Sequence, residues 1–207
     1  MSSLELILSN LAEQRAPRSQ VDRIASLVDL ATCKPALKAI ALVGSYARGT
    51  GTRISDLDLV ALVEEGQVEQ VLSAVFGLFS SAEVLNSFRG AHSAGGIFCK
   101  LVYLDFSSVE FHVLPASSEF RLRRPYIAVW DPLSLLPSLV VPGEPVQHKD
   151  FPAYKYGDDG LIWELVDCIK WLSRGENELA KRHILKLAEQ LGQHRAALYL
   201  PGDHKRE

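Results

Sequence analysis

Cysteine, methionine and surplus charge are all scarce in this sequence. Its three cysteines, Cys33, Cys99 and Cys168, lie far apart in apolar stretches without zinc-knuckle or redox spacing. That excludes a disulfide framework and a cysteine-based metal site, and reads as three buried free thiols. The formal net charge is only -3, so no broad positive field exists to hold duplex nucleic acid through many phosphates, which disfavours a nucleic-acid partner. A small anion held by a few local cations is still allowed. No stretch reaches about 18 uninterrupted apolar residues; the most apolar, Tyr126 to Val141, is cut by Pro132 and Pro137. Glu5 stands near the start with no basic segment before it, so the expectation is no membrane span, no secretory signal and a reducing cytoplasm. Repeats and low-complexity tracts are also lacking. What is present is an ordinary globular composition, 47% hydrophobic and 23% charged over 207 residues, enough to bury a real core.

Hydrophobic spacing lays out the elements. Ser2 and Glu5 form a capping-box pattern ahead of Leu4, Ile7, Leu8 and Leu11, a helix that Pro17 ends. Val21, Ile24, Leu27, Val28 and Ala31 mark one face of a second helix, Gln20 to Cys33. The near-continuous apolar run from Leu37 to Val43 predicts a buried strand feeding a tight turn at Gly44. Asp56 to Val63 predicts a second strand, Gln67 to Ser80 a helix, and Ala82 to Ser87 a short strand. The glycines of Arg89 to Gly96 read as a mobile loop. Ile97 to Leu104 and Val109 to Leu114 read as a hairpin turning around Asp105 to Ser108, and Tyr126 to Trp130 as an edge strand. Proline and glycine from Pro132 to Gly160 indicate a long connection. Two helices, Gly160 to Ser173 and Asn177 to Leu198, follow as an antiparallel pair.

Chemistry concentrates in Gly44-Ser45-Tyr46-Ala47-Arg48-Gly49-Thr50 and Ser55-Asp56-Leu57-Asp58-Leu59. Residues two apart on a strand point the same way, so Asp56 and Asp58 share one face while Leu57 and Leu59 enter the core. Such a carboxylate pair repels itself unless a cation neutralises it, and oxygen ligands on a rigid strand suit magnesium completed by substrate phosphates. Two such ions, about 3.5 to 4 Å apart, activate an attacking oxygen and stabilise leaving pyrophosphate. Gly44 lets the backbone approach a phosphate, Ser45 adds a hydroxyl donor, and the amides of a short helix starting there add positive dipole.

In combination, GSYARGT and SDLDLV resemble the signature of the polymerase-β-like nucleotidyltransferase superfamily. The branch is that of the minimal nucleotidyltransferases, which includes enzymes adenylylating aminoglycoside and lincosamide antibiotics. The direct match spans Ala39 to Val63. The resemblance implies an α+β nucleotidyltransferase fold, a mixed β-sheet flanked by helices with a C-terminal helical unit. It places Gly44 and Ser45 at the triphosphate, with Arg53 and Ser55 of the same segment beside them, and makes Asp56 and Asp58 magnesium ligands. ATP is implied as the donor. A third carboxylate on a later strand is also implied, and Glu110 is its candidate: Val109, Phe111 and Val113 alternate with Glu110 and His112, so the glutamate leaves the core face. The family pattern more often has aspartate there, which leaves Glu110 open as metal ligand, as general base or as neither, with Asp105 in reserve.

Other groups fill supporting places. Glu164 and Asp167 are further candidates for general base. Arg48, Arg53, Arg89, Lys100 and the cluster Arg121, Arg123 and Arg124 supply cations for the triphosphate. Trp163 and Trp171 belong to a helical unit that the resemblance makes part of an acceptor pocket. The expected organisation is a catalytic domain over residues 1–131, a linker over 132–157 and a helical hairpin over 158–207. The expected reaction moves a nucleoside monophosphate onto a hydroxyl of a small acceptor, such as an antibiotic. An antitoxin-like interaction protein and a nucleotide binder without turnover are the alternatives, and a homo-oligomer is compatible with either.

Overall fold

The structure is a computed structural model and describes residues 3–80, 84–144 and 152–198. In chain order the elements are α1 (Ser3–Glu13), α2 (Arg18–Cys33), β1 (Leu37–Leu42), α3 (Gly44–Ala47), β2 (Asp56–Val63), α4 (Val68–Phe79), β3 (Val84–His92), β4 (Gly96–Tyr103), β5 (Ser108–Pro115), β6 (Ile127–Trp130), α5 (Gly157–Ser173) and α6 (Asn177–Leu198). They divide into two compact units, Met1–Pro145 and Val146–Glu207. No helix among the described residues is long and apolar enough to cross a membrane.

In the first unit the six strands form one mixed sheet, ordered β3-β4-β5-β2-β1-β6. β2 and β5 run parallel and the other neighbours antiparallel. Strand period two then sorts the side chains. Leu57, Leu59, Ala61 and Val63 of β2, with Val109, Phe111 and Val113 of β5, meet α1, α2 and α4 through Ile7, Leu11, Ile24, Leu27, Leu72 and Phe79. On the opposite face Ala39, Ala41, Val60, Leu62 and Leu114 form a smaller core that Leu122 and Leu136 close. Asp56 and Asp58 stand on that second face, at the start of β2 and outside the apolar patch.

Three features differ from the sequence reading. Arg89 to His92 is strand, with Arg89, Gly90 and Ala91 paired to Cys99, Phe98 and Ile97. Gly90 serves close approach here: a Cβ on it would lie 2.4 Å from the Phe98 ring. Residues 132–144 are packed rather than a bare connection. A 3-10 turn, Leu136–Leu139, buries Leu136 completely, and Leu122 bridges to Val140. The Asp131 carboxylate accepts from the amides of Leu135 (2.7 Å) and Leu136 (3.0 Å) and starts that turn. Cys33, at the end of α2, is exposed; Cys99 and Cys168 are buried, and burial pushes the Cys99 thiol up to about 12. Ser2, Ala82 and Glu83 lie outside the described residues.

A buried polar lock ties α2 to the sheet. Gln20 is fully buried, and its amide nitrogen donates to the carbonyls of Ser55 and Ser108, 3.0 Å each, at the head of β2 and β5. Its carbonyl oxygen lies 2.8 Å from the Tyr46 hydroxyl, which is equally close to the carbonyl of Thr52. In the second unit α5 ends at Gly175 (φ +78°), where the Glu176 amide donates to the Trp171 carbonyl at 2.9 Å and turns the chain into α6. Cys168, Trp171 and Ala180 pack between the two helices, and His183 meets Glu164 at 2.8 Å.

Replacing Gln20 by leucine strands two buried carbonyls, so we expect Gln20→Leu to lower the unfolding free energy by about 2 to 4 kcal/mol in urea titrations. Burial raises the Glu164 carboxyl, but hydrogen bonds from His183 and the Tyr154 amide outweigh it and leave the pKa below its ordinary 4.5. A depressed carboxyl stabilises above its unfolded pKa, and that contribution is lost as pH falls through the folded value. Melting of the wild type against pH should therefore drop below about pH 4.5 more steeply than melting of Glu164→Gln.

Candidate active site

The site begins where β1 runs out. The Val43 amide donates to the Asp58 carbonyl at 2.9 Å, which fastens the start of the turn to the acid-bearing strand. Gly44 then takes φ +69°, and a Cβ on it would lie 1.8 Å from Oδ2 of Asp58. The space that a side chain would fill is taken by the carboxylate. Two independent reasons, left-handed backbone and contact with Asp58, thus demand glycine here. The single turn α3 follows, and the Thr50 amide closes it onto the Ser45 carbonyl at 3.0 Å.

The loop from Arg48 to Ser55 is braced from within. Gln14 bridges it, donating to the Tyr46 carbonyl (3.1 Å) and accepting from the Gly51 amide (2.8 Å). Ser55 is fully buried and its hydroxyl accepts from the Thr52 amide at 2.9 Å, so it holds the loop closed from beneath. Arg53 is exposed on the same loop, as is Arg48, while Gly44 and Ser45 are half-buried.

Parallel pairing sets the acids side by side. Asp56 is opposite Ser108 and Asp58 opposite Glu110, and β4 places Lys100 opposite Glu110 in turn. The Ser108 hydroxyl donates a hydrogen bond to Asp56. Glu110 has both oxygens engaged: Oε2 lies 2.9 Å from Lys100 Nζ and Oε1 2.9 Å from His112 Nε2. Burial would raise the Glu110 carboxyl, but the Lys100 ammonium and the His112 hydrogen bond hold it well below the usual carboxylate range. His112 also packs against His92 and Phe98, with centroids 5.2 and 5.6 Å away, and its Nδ1 is buried without a partner.

Gly44, Ser45, Asp56, Asp58 and Glu110 are thus brought to one region, with Arg53 and Ser55 on the loop that joins them. Other candidates go elsewhere. Asp105 is used in its own hairpin, accepting from the amide and hydroxyl of Ser107. Arg89 reaches Glu69 and the Phe76 ring on the helical side of the sheet, and Arg123 donates to the Glu144 carbonyl. Gln20 carries weight the sequence reading did not assign, and Lys100, read there as a cation for the triphosphate, is paired with Glu110. The signal for Gln20 was a polar residue one and two turns ahead of Ile24 and Leu27 on the core stripe.

The donor chemistry fits a hard divalent cation: two carboxylates on one strand face, a glycine turn in contact with one of them, and no thiolate or imidazole on β2. Among the described residues no three His, Cys, Asp or Glu side chains converge as a metal-holding set. A cation here would rest on Asp56 and Asp58 and on its substrate's phosphates.

Residues 28–91, from the middle of α2 to nearly the end of β3, match the nucleotidyltransferase domain family. Over that segment the chain is similar to the nucleotidyltransferase domain family. The matched segment holds the glycine-serine turn, both aspartates and α4. Among solved structures, that of the GLD-2/RNP-8 complex is similar over 54% of this chain and 38% of that one, at 16% identity and a TM-score of 0.32. The chain thus spans well under half the length of that protein. No curated protein matches. The mixed sheet, its helical layer and the C-terminal helices give the nucleotidyltransferase domain the α+β class that the motif implies.

Gly44→Ala should push Asp58 out of place. We expect a loss of about 1 to 3 kcal/mol in stability, with weakened binding of a nonhydrolysable ATP analogue in calorimetry. Gly49→Ala, also at positive φ but with nothing within 4 Å of its added Cβ, should leave that binding unchanged.

Proposed function

We propose that this protein transfers a nucleoside monophosphate from a nucleoside triphosphate, with ATP as donor, to a hydroxyl of a small acceptor such as an aminoglycoside or lincosamide. The observation that carries the reading is the contact of Asp58 with the Gly44 turn, which joins acids and phosphate-approach backbone in one place. Asp56 and Asp58 would hold magnesium, which when bound neutralises charge on the triphosphate oxygens.

The chain's own residues do the rest. Gly44 admits a phosphate to the backbone and Ser45 offers it a hydroxyl donor. Arg53, exposed on the bracing loop, meets the outer phosphates by a charge-assisted contact. The acceptor oxygen forms its bond to the α-phosphorus as the bond to the bridging oxygen breaks. Pyrophosphate departs with the electron pair, and the hydroxyl proton is lost to solvent. Holding the two reactants in line is the main service of the site.

A panel of acceptors with labelled ATP and magnesium tests the reading. We expect label transfer by the wild type, and a fall of at least about 100-fold in both Asp56→Asn and Asp58→Asn, with melting temperatures close to wild type. Full turnover in either variant would remove the proposal.

A further inference from the structure

Charge on the open face of the sheet is arranged in a row. Lys100, Glu110 and Asp58 are register neighbours on β4, β5 and β2, and Asp56 is two residues from Asp58 on the same face. Three carboxylates and one ammonium are the charged groups those strands present there, with His112 beside Glu110. They leave two net negative charges, which one divalent cation neutralises.

Both oxygens of Glu110 already have a partner. Lys100 and His112 take one each, and the pair is well shielded, with side chains 13% and 23% exposed for Lys100 and Glu110. The glutamate also does not converge with the aspartates as a ligand set. Lys100, by contrast, is drawn across the strand gap onto Glu110, so its ammonium stands about one strand spacing, ~5 Å, from the column of Asp58.

From this arrangement we infer that Lys100, held by Glu110, occupies the place of a second divalent cation, so that the site works with one metal ion on Asp56 and Asp58. Lys100 meets the triphosphate alongside Ser45 and Arg53, and Glu110 is a positioning residue that aims it. The inference rests on the transferase reading above. It departs from the expectation of two ions and of Glu110 as a third ligand.

The test counts ions and measures affinity, both apart from turnover. The full chain is saturated with a nonhydrolysable ATP analogue, and bound manganese is counted from the electron paramagnetic resonance signal of the free ion. The inference expects one ion per chain in the wild type and still one in Glu110→Gln. Lys100→Met should weaken the analogue about tenfold, the size of one charge-assisted phosphate contact, and Lys100→Arg should restore most of it. Two ions in the wild type falling to one in Glu110→Gln would overturn the inference and leave the transferase reading standing, as would unchanged analogue affinity in Lys100→Met. Absence of manganese-dependent analogue binding in the wild type would instead sink that reading, and the inference with it. Should Lys100→Met fail to fold, the ion count in Glu110→Gln decides alone.

Discussion

The contact on which the site depends is the approach of the Asp58 carboxylate to a backbone position that has no side chain. Gly44 follows a strand whose last amide is bonded to the carbonyl of Asp58, so the turn and the acid are fixed to each other by backbone as well as by packing. A phosphate drawn to the turn is therefore also drawn to the carboxylates. Only a cation between them makes that juxtaposition favourable. The same constraint explains why glycine, serine and two aspartates separated by a loop behave as one unit.

That loop is held by a second set of interactions, buried beneath it at the heads of β2 and β5. Gln20, Tyr46, Ser55 and the carbonyl of Ser108 form a buried polar network in which nearly every donor and acceptor is used. Networks of this kind are costly when broken and rigid when whole. Through Gln20 the helix α2 grips the first residues of both β2 and β5, the parallel pair whose register sets Asp56 beside Ser108 and Asp58 beside Glu110. The helical layer thus positions the acids from the opposite side of the sheet.

Electrostatics on the open face follow from strand order. Placing β4 next to β5 brings an ammonium to the one carboxylate that the parallel pairing set beside Asp58. Glu110 is thereby satisfied within the protein, whereas the aspartate pair has the composition and setting of a cation site. The face that carries the acids thereby holds a built-in positive charge as well.

Much of this was legible from the residues alone. Alternation on Asp56 to Val63 and on Val109 to Val113, the Gly44 break and the helical periodicities report local geometry, because side-chain direction is a short-range property of the backbone. The grouping of Gly44, Ser45, Asp56 and Asp58 was readable for the same reason, since one turn and one loop join them. The strand at Arg89 to His92 is not legible locally: glycine signals either freedom or close approach, and only the Phe98 ring across the ladder distinguishes them. The engagement of Glu110 with Lys100, the burial of Ser55 and Leu136, and the role of Gln20 likewise depend on partners distant in sequence. By itself the sequence determined which side chains share a face and which chemistry the motif can host. Tertiary structure alone decided which charges cancel, because strand neighbours are chosen by packing of the whole sheet and a carboxylate's reactivity depends on what that choice places against it.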